Sequence, residues 1–374
     1  MNYSLLFLLN CYSSILTQII NTRYYGKITP FSSRIDLPKI KEKYLITTMD
    51  LKSNFTWFRD VRHECFDNKE IKITINKIEL VAIECIDSLT LTDDNKVLSE
   101  YYYYIIPKQS IPIYKLKRNS LAFSYKFNDE KFSVIHQLYN EKKISKKIFA
   151  IGEYDKFNDY GEIYFGGIPD EIIVNKTFKG KCNVDDSYST WSCSLKKIEI
   201  NHHTYHATNH YMYFQTNNEY IYAPQNFMSF IFESLDNNLK KDCYVYKSSF
   251  GGEHLRCLND ILDNLPNYTF IFDSTSFSIP IKDFFEPGYE TSDSILFFSS
   301  IENDRNDTWI FGNYFLSRYI TVFDYEDKSI SFYSNKYTIA LLNEFNIKKY
   351  FIISIMGILS LSILYIFIVK VNMK

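Results

Sequence analysis

Short runs in which apolar and polar residues alternate recur along most of this chain. That period of two is the signature of strands with one buried face. Glu70 to Thr92 reads EIKITINKIELVAIECIDSLTLT, and YYYYIIP, EIYFGGI, SLKKIEI and TFIFDSTSFSIPI repeat the pattern further on. Helical spacing is confined to two short pieces. Phe132 to Lys146 has apolar residues at Val134, Ile135, Leu138 and Tyr139. Pro224 to Lys240 has them at Phe227, Phe230, Ile231 and Leu235, with a proline at the helix start. The fold class this predicts is all-β with short helices. At 374 residues the chain is too long for one hydrophobic core, so two lobes are expected. No Pro-, Gly- or Ser-rich linker divides it and no repeat shows letter by letter, which predicts lobes joined through shared sheet.

Charge excludes one class of partner. Lys and Arg number 42 against 44 Asp and Glu, so no basic face is implied and nucleic acid is not expected. Tyr (32) and Phe (31) are abundant beside frequent Asn and Lys, which looks like the amino-acid bias of an AT-rich genome and argues against reading single aromatic or Asn residues as functional.

Two apolar segments frame the chain. LLFLLN near the N-terminus predicts a short secretory signal over residues 1–21, although it lacks the usual basic start. Ile352 to Val369 runs eighteen residues without a charge, enough at helical rise to cross a bilayer core, and predicts a transmembrane helix over 350–370 with a cytoplasmic tail at 371–374. Lys348 and Lys349 before it balance Lys370 and Lys374 after it, so lysine asymmetry does not set the orientation; the signal does. Six of the seven cysteines fall on the exported side, where disulfides form. Cys182 with Cys193 and Cys243 with Cys257 are close enough to close small loops, and no spacing is that of a zinc site. Asn-x-Ser/Thr acceptors at Asn54, Asn175, Asn267 and Asn306 fit a lumenal or surface location.

Longer blocks carry a resemblance. Tyr24, Tyr25 and Gly26, followed by TTMDLKSNFTW with Asp50 and Trp57, resemble the opening of a pepsin-type aspartic protease, where YYG precedes a DTGSSNLW loop. SVIHQLYNEKKISKKIFAIGE is similar to the helix and strand that close that family's first lobe, and GEIYFGGI to its GELxFGGID run. Trp191 with SLKKIEI is similar to its YWxxxLxxIxI strand, and NLPNYTFIF to its LPxIxFxF strand. WIFGNYFLSRYITVFDYEDKSISFYS is close to WILGDxFLRxYYTVFDxxxxxIGFA. The blocks run in order from about residue 24 to 334. The resemblance implies a bilobal pepsin-like fold, with an N-terminal lobe over 22–170 and a C-terminal lobe over 171–347.

That family's reaction needs two carboxylates facing each other, which share one proton because two such close charges cannot both ionise. Each sits in a DTG or DSG loop whose hydroxyl ties the loops together and whose glycine admits the substrate backbone. Asp50 keeps the first acid and Ser53 a hydroxyl, but Leu51 replaces the tying hydroxyl and Lys52 the glycine. Lys52 either pairs with an ionised Asp50 or points to solvent from a remodelled loop. The second acid is not Asp273 in FIFDSTS, which by chain order belongs to a later hairpin turn. The matching stretch is YMYFQTNNEYIYAP: Gln215 stands for the aspartate, Thr216 for its hydroxyl partner and Asn217 for the glycine, with Pro224 and a helix following. The flap region lacks glycine and carries Ile75 near its tyrosine position.

An amide cannot share or donate a carboxyl proton. The expectation is a degenerate aspartic protease homologue whose cleft binds a peptide or protein without cutting it, held to a membrane by its C-terminal helix. Lys52, Ser53, Ile75, Thr216, Asn217 and Glu219 are the expected cleft lining. The alternatives are an active membrane-tethered endopeptidase that uses Asp50 with Glu219 or another acid, and a structural or adhesion ectodomain. No cofactor and no metal are expected. His202, His203, His206 and His210 cluster in sequence but read as a hairpin, where helical spacing brings nothing together.

Overall fold

The computed structural model describes residues 20–25, 32–35, 45–51, 53, 56–59, 70–75, 78–92, 95–106, 119–155, 160–174, 176–216, 218, 220–247, 253–272, 275–287, 293–296, 298–300 and 307–335. The apolar run 352–369 and most of the proposed leader lie outside them. Among the described residues no helix is long and apolar enough to cross a membrane.

Strands dominate. The first half contains β1 (Ile20–Tyr25), β2 (Ser32–Ile35), β3 (Leu45–Asp50), β4 (Trp57–Arg59), β5 (Glu70–Ile75), β6 (Ile78–Thr92), β7 (Asn95–Ile106), β8 (Asn119–Ala122), β9 (Ile148–Asp155) and β10 (Tyr160–Phe165). The second contains β11 (Lys176–Asn183), β12 (Ser192–Ile200), β13 (His203–Phe214), β14 (Ile221–Ala223), β15 (Cys243–Lys247), β16 (Glu253–Leu258), β17 (Asn267–Ile271) and β18 (Ser276–Pro280). It ends with β19 (Phe285–Pro287), β20 (Asp293–Leu296), β21 (Phe298–Ser300), β22 (Thr308–Phe311), β23 (Tyr319–Asp324) and β24 (Ser329–Asn335). Ile20 and Asn21, which the sequence reading assigns to the leader, are instead paired in β1 opposite Phe165 and Tyr164.

Alternation in sequence becomes alternation in burial. In β17, Tyr268 and Phe270 are buried while Asn267, one of the glycosylation acceptors, is exposed. A thirteen-stranded sheet runs β11-β24-β23-β9-β10-β1-β2-β3-β8-β4-β7-β6-β5, so strands of both halves share it through the β9–β23 pair. Seven strands form a second sheet, β18-β17-β12-β13-β22-β14-β21, and four form a third, β15-β16-β20-β19. The halves are thus joined through shared sheet, as the missing linker predicts.

The expected helices are shorter than their sequence patterns. One spans Val134–Asn140, capped by the Ser133 hydroxyl, which accepts the His136 N–H at 3.4 Å. The other spans Gln225–Ser234 directly after Pro224. It stops because Leu235 turns extended and buries its side chain, and a separate turn, Asn237–Lys240, follows.

An aromatic cluster joins the halves. Trp191 lies fully buried with ring centroids 5.8 Å from Phe149, 5.1 Å from Phe323 and 4.8 Å from Tyr325. Its indole N–H donates to the Phe123 carbonyl at 2.7 Å, and the Tyr325 hydroxyl donates to the next carbonyl, Ser124, at 2.9 Å. Rings from three separated segments thereby fix the chain as it leaves β8. Two disulfides between described residues add local closure, Cys182–Cys193 and Cys243–Cys257, the second directly across the β15–β16 pair. Closing loops of this length stabilises a fold by about 3 kcal/mol.

His136 makes this core sensitive to acid. Its ring packs edge-on against Phe127 and Tyr325, and Nδ1 lies 2.9 Å from the Ser133 hydroxyl. Burial holds the imidazole below its ordinary range; Glu130 opposes this and Lys147 adds to it. A histidine depressed in the fold contributes stability that is complete above its unfolded value of about 6.5 and is lost as pH falls toward the folded value. Denaturant-midpoint stability is therefore expected to drop between pH 7 and 5, by up to about 1.4 kcal/mol per pH unit for one proton. His136→Gln should flatten that slope. An unchanged slope in the variant contradicts the assignment.

Candidate active site

The two halves repeat one four-strand pattern. In the first, β3 runs parallel to β8 with Met49 opposite Leu121 and Asp50 opposite Ala122. Strand β8 is antiparallel to β4 through Ser120 and Trp57, and β4 is parallel to β7 with Trp57 opposite Tyr104. In the second, β13 runs parallel to β22 with Tyr213 opposite Ile310 and Phe214 opposite Phe311. Strand β22 is antiparallel to β14 with Ile310 opposite Tyr222, and β14 is parallel to β21 with Tyr222 opposite Ser299.

That register identifies the counterpart of Asp50. Continuing β13 by one residue sets Gln215 beside Gly312, as Asp50 stands beside Ala122. Two positions back along the partner strands are Ile310 and Ser120, whose antiparallel partners are Tyr222 and Trp57. Trp57 follows Asp50 by seven positions and Tyr222 follows Gln215 by seven. Sliding the match one residue either way makes the two loops differ in length by two. Gln215 and Asp50 are therefore equivalent by strand pairing alone, without appeal to any motif. Leu51 and Thr216 are then equivalent, and so are Ser53 and Asn218.

Each loop fixes its key side chain from three positions on, by different means. The Ser53 main-chain N–H donates to Asp50 Oδ1 at 3.2 Å. Asn218 Nδ2 donates to Gln215 Oε1 at 2.7 Å. The main chain ties both loops to the crossing strands. The Phe123 N–H donates to the Asp50 carbonyl at 3.0 Å, and the Ser124 N–H to the Ser53 carbonyl at 3.2 Å. Gln215 N–H donates to the Phe311 carbonyl at 3.1 Å, and Asn313 N–H to the Asn218 carbonyl at 2.7 Å. Asp50 and Gln215 are both half-buried, whereas Leu51 and Thr216 are buried behind them. Leu51 sits in the main apolar core and has no polar atom to tie the loops, so a reciprocal pair of hydroxyls cannot form.

One position in the site escapes a reading by motif alone. Asn218 orients Gln215. Asn313, fully buried at the start of the helix Asn313–Leu316, stands where the block resembling WILGD has its acid, so a second carboxylate near the amide loop is replaced by an amide. The available signal was the offset: Asn218 lies three residues after Gln215 as Ser53 lies three after Asp50.

The remaining expected site residues divide as follows. Lys52, Asn217, Glu219 and Asp273 lie outside the described residues. The strands on either side of Asp273 pair antiparallel, Ile271 opposite Ser276. Ile75 closes the β5–β6 ladder opposite Ile78, at the flap tip. Below it Ile73 packs with Trp57, Tyr104 and Phe132, beside a cavity of about 280 Å³ that Lys72, Thr74 and Asp129 help to line. His203, His206 and His210 lie along β13, a strand; at strand rise His206 and His210 stand about 13 Å apart. Trp309 Nε1 donates to His210 Nδ1 at 3.1 Å, which suits a neutral imidazole, and burial holds that histidine low against the pull of Asp307. Among the described residues no three His, Cys, Asp or Glu side chains converge to hold a metal.

A family model described as eukaryotic aspartyl protease matches residues 120–335, from β8 to the end of β24. That span includes Gln215 and begins after Asp50, whose place rests on the register above. No curated protein matches the chain.

Packing at Gly312 tests the loop geometry. A Cβ there would stand 2.4 Å from the Tyr220 carbonyl oxygen and 2.5 Å from that of Asn218. Gly312→Ala should cost about 1–3 kcal/mol in urea denaturation by pushing the Gln215 loop off β22. Its counterpart Ala122 already carries a Cβ, and Ala122→Gly should cost no more than about 1 kcal/mol. Equal midpoints for Gly312→Ala and the wild type would contradict the close approach.

Proposed function

Because this chain belongs to the eukaryotic aspartyl protease family, in its pepsin-like branch, we propose that it is a catalytically silent member that binds a peptide or protein in its cleft. The observation that carries this is the pairing register that makes Gln215 the counterpart of Asp50. Turnover in this family needs one carboxylate to take a proton from water while the other gives one to the scissile carbonyl. Gln215 has no proton to give in that way and cannot take one up. Removal of one member of such a unit typically costs about 10⁴–10⁶ in kcat. Leu51 in place of a tying hydroxyl, and a flap that ends in Ile75 and Ile78, add to the departure.

In this reading the apolar run 352–369 anchors the protein in a membrane of the secretory pathway or cell surface, with the cleft-bearing part on the lumenal or outer side. The two disulfides fit an oxidising compartment. Retention in the membrane pellet after alkaline carbonate washing, lost when residues 350–374 are deleted, is the expected result. Release of the full chain by the wash contradicts the anchor.

The activity reading is tested on the purified full-length chain with a quenched fluorogenic peptide library between pH 4 and 7. No cleavage above that of Asp50→Ala is expected. Cleavage that a statine-type inhibitor blocks and Asp50→Ala abolishes would establish an active endopeptidase instead, with another acid such as Glu219 opposite Asp50. Gln215→Asp alone is expected to leave turnover at background, because Leu51, Asn313 and the flap differ as well. Robust cleavage by that single variant would mean that the amide is the whole defect.

A further inference from the structure

Gln215 makes two hydrogen bonds among the described residues. Its main-chain N–H reaches the Phe311 carbonyl at 3.1 Å, and its side-chain Oε1 accepts from Asn218 Nδ2 at 2.7 Å. Its Nε2, with two N–H groups, has no acceptor among the described residues, and the side chain is half-buried. On the equivalent loop, Asp50 Oδ1 accepts from Ser53 N–H at 3.2 Å, and an ionised carboxylate only accepts. The two equivalent positions therefore differ in polarity: one is an acceptor, the other a donor.

We propose that Asn218 locks Gln215 as a one-way hydrogen-bond donor, so that the cleft recognises the main-chain carbonyls of an extended peptide through an uncharged group. This deepens the proposal that the cleft holds a peptide without cutting it, and rests on it. The chemical consequence is pH independence. A pair of carboxyl groups can donate only while it holds a proton, so its grip on a carbonyl ends as that proton leaves. A primary amide donates at every pH between 5 and 8 and does not titrate there. Asn218 acts here as a positioning residue: its amide holds the carbonyl end of Gln215, which leaves the NH₂ end for the ligand.

The test uses the purified full-length chain in detergent and a fluorescein-labelled statine-containing hexapeptide, with affinity read by fluorescence polarisation at pH 5.0 and 7.5. The wild type should bind with a Kd that changes less than about threefold between the two. Gln215→Asp should bind at pH 5.0 and weaken at least about tenfold at pH 7.5. Asn218→Asp is isosteric, but its carboxylate can only accept; it draws Nε2 toward itself and turns the Gln215 carbonyl outward. Binding should then weaken about 2–12-fold, the range for one hydrogen bond. If that variant unfolds, Gln215→Leu removes the donor from a half-buried position and should show the same loss. Addition of the probe should also shift the Gln215 side-chain ¹⁵N–¹H signals, identified by their disappearance in Gln215→Leu, and should not do so in Asn218→Asp.

The proposal is overturned if the wild type fails to bind the probe or weakens tenfold at pH 7.5. It is equally overturned if Asn218→Asp or Gln215→Leu binds as tightly as the wild type. Failure of the parent reading looks different: inhibitor-sensitive cleavage of the fluorogenic library, whatever the pH profile of binding.

Discussion

Parallel pairing of β3 with β8, and of β13 with β22, is the constraint on which the site depends. A strand hydrogen-bonded along its length has one register, because a slip of one residue would turn every side chain to the other face. The last paired residue of each entering strand is thereby fixed, and the tight loop begins at a set point. Asp50 ends one such strand and Gln215 leaves the other, with loops of equal length to Trp57 and Tyr222. Gly312 lets the second loop press its carbonyls against β22 where any side chain would obstruct them. The chemical character of the cleft follows from which residue occupies each end point.

Packing holds those end points still. Trp191, Phe149 and the neighbouring pair Phe323 and Tyr325 come from three segments far apart in sequence and from both halves of the chain. The indole and the Tyr325 hydroxyl each satisfy a carbonyl just beyond β8, beside the main-chain groups that tie the Asp50 loop. Burial of large rings supplies the free energy, and the paired carbonyls give it direction. The same dense interior disfavours a charged His136, against the pull of Glu130.

Much of the architecture was legible in the sequence because strand alternation and helix spacing are local signals. Tyr268 and Phe270 alternate with polar neighbours and are buried; Val134, Ile135 and Leu138 share a helix face and are buried. Both disulfide pairs were legible from loop length. The twofold repetition was not, because it resides in pairing rather than in letters: SLAFS and IFGNY occupy matching crossings and share almost nothing as text. Asn218 was missed for a related reason. Its role is done by a main-chain N–H at Ser53 and by a side chain at Asn218, so no residue type recurs. The break after Ser234 was missed because Leu235 fits a helical apolar spacing yet buries from an extended backbone.

The claim that one acid faces an amide has a direct physical signature in how Asp50 titrates. Two carboxyl groups that share a proton lose it in two coupled steps that belong to the pair. A ¹³C-carboxyl NMR titration of the full-length chain, with the Asp50 signal assigned through Asp50→Asn, is predicted to show one transition with single-site shape. Two coupled transitions at Asp50, the higher one removed by substituting another carboxylate, would mean that a second acid stands across the cleft and that the site is not silent.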